Sequence, residues 1–185
     1  EAELKQVRSK LFSARTTDTK YKYRQKDEEL RNKIAEELKK TGWPNDAADK
    51  LASWDPYDQN ASSPFFNPEW MFDISDGFDI VIGNPPYLKE RENASFFKPI
   101  NESELGKKWH EGKMDFWYYF LHRAIDFSAS EICFITSRYW LNSRGARKLI
   151  SRVSNKLFFV NIVDIGKLKV FDAVAGHHMI SHFSK

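Results

Sequence analysis

Residues 78–87 read Phe-Asp-Ile-Val-Ile-Gly-Asn-Pro-Pro-Tyr, an apolar run that ends in a stiff turn. Phe78, Ile80, Val81 and Ile82 have the composition of a short strand buried on both faces of a parallel sheet. Gly83 removes the side chain at the end of that strand and admits a close neighbour. Ligands of open α/β sheets bind just past the carboxyl ends of strands, and Asn84 to Tyr87 occupy that place.

The turn suits a flat ring that bears an amine. Delocalisation makes the nitrogen of such an amine a poor nucleophile, and two acceptors that take its N–H bonds favour the tetrahedral, attacking form. The Asn84 side-chain oxygen offers one acceptor and the Pro85 carbonyl the other. Prolines fix φ and carry no N–H, so the turn is rigid and that carbonyl meets little local competition. Because Asn is neutral, the turn fits preorganised stabilisation of positive charge developing on nitrogen, and not proton abstraction. Tyr87 offers a π face for stacking on a base, a contact worth about 1–3 kcal/mol in nucleic-acid systems, and the same ring attracts a cationic methyl donor. A Pro-Pro turn that merely stops a strand is the competing reading.

Outward from the turn, the pattern predicts strand 78–83, loop 84–112, helix 114–128, strand 131–136, helix 143–155, strand 158–165 and a last strand near 174–183. Strands alternating with helices imply a parallel sheet. Upstream, Leu4, Val7 and Leu11, then Leu30, Ile34 and Leu38, follow helical spacing and predict helices over 1–13 and about 22–40. These form a hairpin across Thr16–Thr19 or halves of a longer connector. Thr41-Gly42-Trp43-Pro44 ends the second helix, and Asn45 to Ser53 makes a third. Residues 54–77 read as an irregular layer whose aromatics (Trp54, Tyr57, Phe65, Phe66, Trp70, Phe72) cover the sheet. The organisation is therefore a helical extension over 1–53 and an α/β subdomain over 54–185.

At the turn the chain resembles the amino-methyltransferases with an Asn-Pro-Pro-Tyr motif, and most closely the gamma-type N6-adenine DNA methyltransferases of restriction–modification enzymes. The resemblance extends to the lead-in Trp54-Asp55-Pro56-Tyr57-Asp58-Gln59-Asn60 and Pro64-Phe65-Phe66-Asn67-Pro68-Glu69-Trp70-Met71-Phe72. Downstream it includes Asp115-Phe116-Trp117-Tyr118-Tyr119-Phe120, Ile132-Cys133-Phe134-Ile135-Thr136 with Trp140-Leu141-Asn142-Ser143, and Val163-Asp164-Ile165 with Val170-Phe171. It covers roughly residues 50–183, and the tetrapeptide is its most specific part.

The resemblance implies a partial Rossmann-like methyltransferase sheet, its C-terminal half, closed by a reversed strand. It also implies methyl transfer from S-adenosylmethionine to a flipped adenine in double-stranded DNA. Asn84 and Pro85 would accept from the amine, with Tyr87 stacking. Pro86, Lys89 and Arg91 would lie against the nucleic acid, and Asp115 near the adenine of the cofactor. The same tetrapeptide serves enzymes that methylate glutamine amides of proteins or RNA bases, and a non-catalytic DNA-binding or assembly module could keep the scaffold. The helical extension, the long lead-in and the loop after Tyr87 favour DNA adenine.

Complete members carry a Gly-rich turn upstream of this strand, whereas the eight glycines here are scattered singly. The expectation is a central segment of a longer polypeptide, completed by an upstream cofactor-binding half and a downstream target-recognition domain. Strand 78–83 would then present an unpaired edge, leaving the segment alone inactive and prone to self-association.

The loop Leu88–Gly112 is long enough to need a reason. It interleaves Lys89, Arg91, Lys98, Lys107 and Lys108 with Phe96, Phe97 and Trp109, which suits a cover over an extruded base; a disordered surface loop is the alternative. Residues 1–40 hold 12 basic and 8 acidic side chains, residues 41–100 hold 4 and 10, and residues 101–185 hold 13 and 8, so the basic ends are the candidate DNA-facing parts. For residues 1–40 a solvated mixed-charge helix face competes. Asp115 also has a bland reading, as a carboxylate opening a helix.

A single cysteine, Cys133, in an apolar strand pattern reads as a core residue in a reducing, cytoplasmic setting, with no membrane-spanning run. His177 and His178 point to opposite faces of a strand, so they cannot chelate together, and no metal site is expected. Phe171 and His177 are weak candidates for stacking on the second face of the base.

Overall fold

The structure, a computed structural model, describes residues 1–58, 60–166, 168 and 177–185. The chain divides into two units, Glu1–Ser75 and Asp76–Lys185, so residues 54–75 cluster with the helices and not with the sheet.

In the first unit, helices α1 (Ala2–Ser13) and α2 (Thr17–Lys40) pack as a hairpin, followed by α3 (Asn45–Ser53) and α4 (Pro68–Phe72). The Thr16 hydroxyl accepts from the Thr19 amide at 3.2 Å, which starts α2 earlier than residue 22. Leu4, Val7 and Leu30 make a small core with Tyr23, Ile34 and Trp70 against it. Beside it lies a buried ion cluster. The Asp27 carboxylate is fully buried and accepts from Arg8 Nε at 2.8 Å, Arg31 Nε at 2.7 Å and the Tyr57 hydroxyl at 3.3 Å. Arg8 also donates to the Trp70 carbonyl at 2.7 Å and lies over the Trp54 and Trp70 rings. A lone buried carboxylate would cost several kcal/mol, so the two guanidiniums make the burial tolerable. Burial, with the Asp27 charge second, pushes the Tyr57 hydroxyl to about 12. The mixed-charge face of residues 1–40 is therefore turned inward at these three residues, as neither a solvated face nor a DNA contact.

The second unit is built on four strands, β1 (Phe78–Gly83), β2 (Ser128–Ser137), β3 (Phe158–Asp164) and β4 (His178–Ser184), in the order β1-β2-β4-β3. β1 is parallel to β2, and β4 runs antiparallel to both β2 and β3. Three strands thus run one way with β4 reversed between two of them, as the resemblance implied. The fold is mixed α/β. Residues 174–176 of the expected last strand lie outside the described residues.

Alternate residues set the faces of the sheet. Ile132, Phe134 and Thr136 of β2 and Met179, Ser181 and Phe183 of β4 are buried. Their apolar members join a core with helices α7 (Trp117–Phe127) and α8 (Arg147–Lys156). Trp117, Tyr118, Leu121, Ala124 and Ile125 follow helical spacing on α7 and are all buried; a large apolar side chain contributes about 1.5–3 kcal/mol when buried.

Four expectations change. β1 is not buried on both faces: Ile80 is 64% and Ile82 76% exposed, because β1 is the outer strand and these residues stand opposite the helix-covered side. Cys133, paired with Ile82 on that same side, is half-buried and not a core residue. The region 84–112 contains two helices, α5 (Ala94–Glu102) and α6 (Glu104–Trp109). Ser103 caps α6 by accepting from the Gly106 amide at 3.3 Å, and a Cβ at Gly106 would collide with the Ile100 carbonyl. The segment 143–155 begins with 3₁₀ turns through Ala146 before α8. Among the described residues no helix is long and apolar enough to cross a membrane.

Candidate active site

β1 ends at Gly83 and delivers the turn at its carboxyl end. Asn84 and Pro86 are exposed, Pro85 is buried and Tyr87 is half-buried. The Tyr87 hydroxyl has one proton and two acceptors within reach, Asn84 Oδ1 at 3.0 Å and the Ile135 carbonyl of β2 at 3.0 Å. It therefore ties the turn to the neighbouring strand and holds the Asn84 side chain in place. An amide oxygen has two lone pairs, so Asn84 keeps acceptor capacity. Among the described residues no donor occupies the Pro85 carbonyl. Burial pushes the Tyr87 hydroxyl above its usual pKa, which keeps it protonated and able to donate.

The Tyr87 ring packs at the rim of the main core, with the His178 ring 5.2 Å away at 46°. His178 is buried and enters through the register of β4, whose first residue pairs with Ser137 of β2. Sequence reasoning missed it, since nothing local distinguishes it from His177, which is exposed.

The segment after the turn returns to it. Glu90 N donates to the Met114 carbonyl at 3.0 Å and Phe116 N to the Leu88 carbonyl at 2.8 Å, with Lys89 and Asp115 bridged between them. The Glu90 carboxylate meets His110 Nε2 at 2.6 Å, Asn101 Nδ2 at 3.4 Å and the Met114 amide at 3.1 Å. Burial alone would raise the Glu90 carboxyl, but these hydrogen bonds outweigh it and hold it below its usual value. Asp115 thus lies beside the first residues after the turn, ahead of α7, which starts at Trp117 and not at 114. It is half-buried, and burial pushes its carboxyl up against the pull of Lys89 and the Tyr118 hydroxyl.

Of the expected aromatic and basic cover, Phe97 is buried in the core, and Trp109 stacks on His122 with centroids 4.2 Å apart. Phe96 is 62% exposed and remains outside. Lys89 is exposed, and Arg91 is exposed but ion-paired with Glu92 at 3.1 Å. Gln59, Val170 and Phe171 lie outside the described residues.

Against known proteins, residues 3–171 match the family described as Eco57I restriction-modification methylase. The chain belongs to that family. Two relatives are type II methyltransferases. The type II methyltransferase M.HincII of Haemophilus influenzae is 25% identical over 111 residues, covering 58% of this chain and 22% of its own length. The type II methyltransferase M.HindII of Haemophilus influenzae strain Rd is 25% identical over 111 residues, 58% of this chain and 21% of its own. The chain thus spans about a fifth of the length of these curated relatives. A class I S-adenosylmethionine-dependent methyltransferase from Listeria monocytogenes is 17% identical over 60% of this chain and 33% of its own, at a TM-score of 0.43, below the level at which a shared fold follows.

Proposed function

We propose that the chain carries the acceptor turn of a DNA methyltransferase that modifies the N6 amine of an adenine extruded from the duplex. The observation that supports this is the state of the two acceptors. Asn84 Oδ1 is exposed and held by Tyr87 with a lone pair to spare, and the Pro85 carbonyl is unoccupied among the described residues. An aromatic amine has two N–H bonds, one for each. Accepting both draws the nitrogen lone pair out of the ring and stabilises the charge that grows on nitrogen as it attacks. Tyr87 stacks on the base through the part of its ring not packed on His178.

S-adenosylmethionine would supply a methyl group on a positively charged sulfur. The residue of this chain assigned to it is Asp115, whose half-buried carboxylate fits the amino edge of the cofactor's adenine. The remaining contacts belong to a Gly-rich turn. No Gly-x-Gly occurs in the 185 residues, so in this reading the chain works with a further segment of the same polypeptide. Pro86, Lys89 and Arg91 stand on the exposed side of the turn, where flanking nucleotides would pass.

The test is Asn84→Ala in the full-length polypeptide. Transfer of labelled methyl to duplex DNA should fall by about 10²–10³, with little change in DNA binding. A rate near wild type overturns the mechanism. Label recovered on RNA or on a glutamine-bearing peptide, and not as N6-methyladenine, overturns the substrate.

A further inference from the structure

Away from the turn, the end of α6 and one edge of α8 border an open cleft of about 570 Å³ lined by Lys108, Trp109, Arg147, Lys148, Arg152 and Lys156, with Glu111, Ser151 and Asn155. Five cations meet there. Glu111 Oε1 lies 3.6 Å from Arg147, and Asp126 pairs with Arg152. Lys108, Lys148 and Lys156 have no carboxylate partner among the described residues. Lys148 instead donates to the carbonyls of Lys108 at 3.1 Å and His110 at 3.0 Å, which fixes its ammonium without cancelling its charge. Trp109 holds two more cations in place, with the Arg152 guanidinium 4.5 Å and the Lys108 ammonium 5.1 Å from its ring centroid. Trp109 is itself anchored by its stack on the buried His122.

We propose that this cleft is a second contact with duplex DNA, seating the phosphates of one strand. The claim rests on the reading of the chain as DNA-directed. From Arg147 to Lys156, α8 advances about 14 Å, enough to follow two or more consecutive phosphates of one strand. Side chains carry the recognition: Glu111 already accepts from the Lys148 amide at 2.6 Å, so the amino end of α8 is occupied. Ser151 and Asn155 add neutral donors between the cations, of the kind that contact phosphate oxygens beside Lys and Arg. These groups meet the backbone and never a base edge, so the cleft adds affinity and register with no sequence preference.

The experiment measures binding of the full-length polypeptide to a fluorescent 20-base-pair duplex without cofactor, by anisotropy, across a range of KCl concentrations. Arg147→Ala with Lys156→Ala removes two contacts. The slope of log affinity against log salt should become shallower by about two, and affinity should fall by about tenfold or more, equally for unrelated sequences. Thermal unfolding of the double variant should match the parent, since both side chains are exposed. The control, Lys20→Ala with Lys22→Ala on α2, should change neither quantity. An unchanged slope in the cleft variant, an equal loss in the control, or tighter binding to single-stranded RNA than to duplex DNA overturns the proposal. Because no methyl transfer is read, failure here leaves the acceptor turn untouched, and failure of Asn84→Ala to affect methylation leaves the cleft untouched.

Discussion

His122 on α7 gives the chain a calculable sensitivity to acid. It is fully buried, stacked on Trp109, with Arg152 Nη1 3.3 Å from Nδ1 and donating to the His122 carbonyl at 2.9 Å. A guanidinium is a donor at every accessible pH, so Nδ1 must accept and the ring proton sits on Nε2. Burial first, and the Arg152 charge second, lower the pKa from 6.5 to about 3. Below pH 6.5 the unfolded chain takes up a proton that the folded chain refuses. The stability present above pH 6.5 is therefore lost as pH falls towards 3, at about 1.4 kcal/mol per unit, or about 2 kcal/mol by pH 5. His122→Asn keeps an acceptor for Arg152 and cannot titrate. Urea unfolding followed by tryptophan fluorescence at pH 8, 7, 6 and 5 should show the parent losing about 2 kcal/mol more than the variant over that range. The variant should be less stable at pH 8, because the stacked ring is gone. Parallel stability curves for parent and variant would refute the reasoning.

Tyr87→Phe removes the hydroxyl that ties the turn to Ile135 and holds Asn84, which should lower stability by about 1 kcal/mol, seen as a few degrees in Tm, while methylation by the full-length polypeptide falls less than in Asn84→Ala, because the acceptor is still present but no longer held. Tyr87→Ala should weaken base binding by about 1–3 kcal/mol in a competition assay; loss of the folding transition in that variant would make Tyr87 a packing residue. Gly106→Ala should cost about 1–3 kcal/mol in thermal or urea unfolding, because its Cβ meets the Ile100 carbonyl at the corner between α5 and α6; an unchanged transition would show that the corner yields. The 185-residue chain alone should give no measurable heat on titration with S-adenosylmethionine and should self-associate in light scattering through the open edge of β1, and micromolar binding by a clean monomer contradicts both.

The strand and turn at 78–87 were legible because their signals are local: a β-branched run, then two prolines. Which sides of that strand are covered was not. Ile80 and Val81 look alike in sequence; the pleat sends them to opposite faces, and only the face that meets the helix-built core is packed. α5 was hidden by Pro99 within its span and by its length of only nine residues. The fate of Asp27 depends on Arg8 and Tyr57, 19 and 30 residues away, and no local window contains both. His178 beside Tyr87 is likewise a product of strand register. Asn84 and Pro85 could be put forward as acceptors from chemistry alone, while the hydrogen bond from Tyr87 to Asn84 could not be foreseen.

The excursion from Glu90 to Met114 leaves and re-enters the fold at one narrow neck, where the two ends share backbone hydrogen bonds and a single carboxylate gathers His110, Asn101 and the Met114 amide. A detour clamped at its base behaves as a cassette. Its exposed positions can vary without shifting Tyr87 on one side or Asp115 on the other, while Phe97 and Trp109 tie the remainder into the core. Diversification can therefore proceed at the exposed positions of this insert, with Glu90, Phe97, Gly106 and Trp109 as the positions it has to spare.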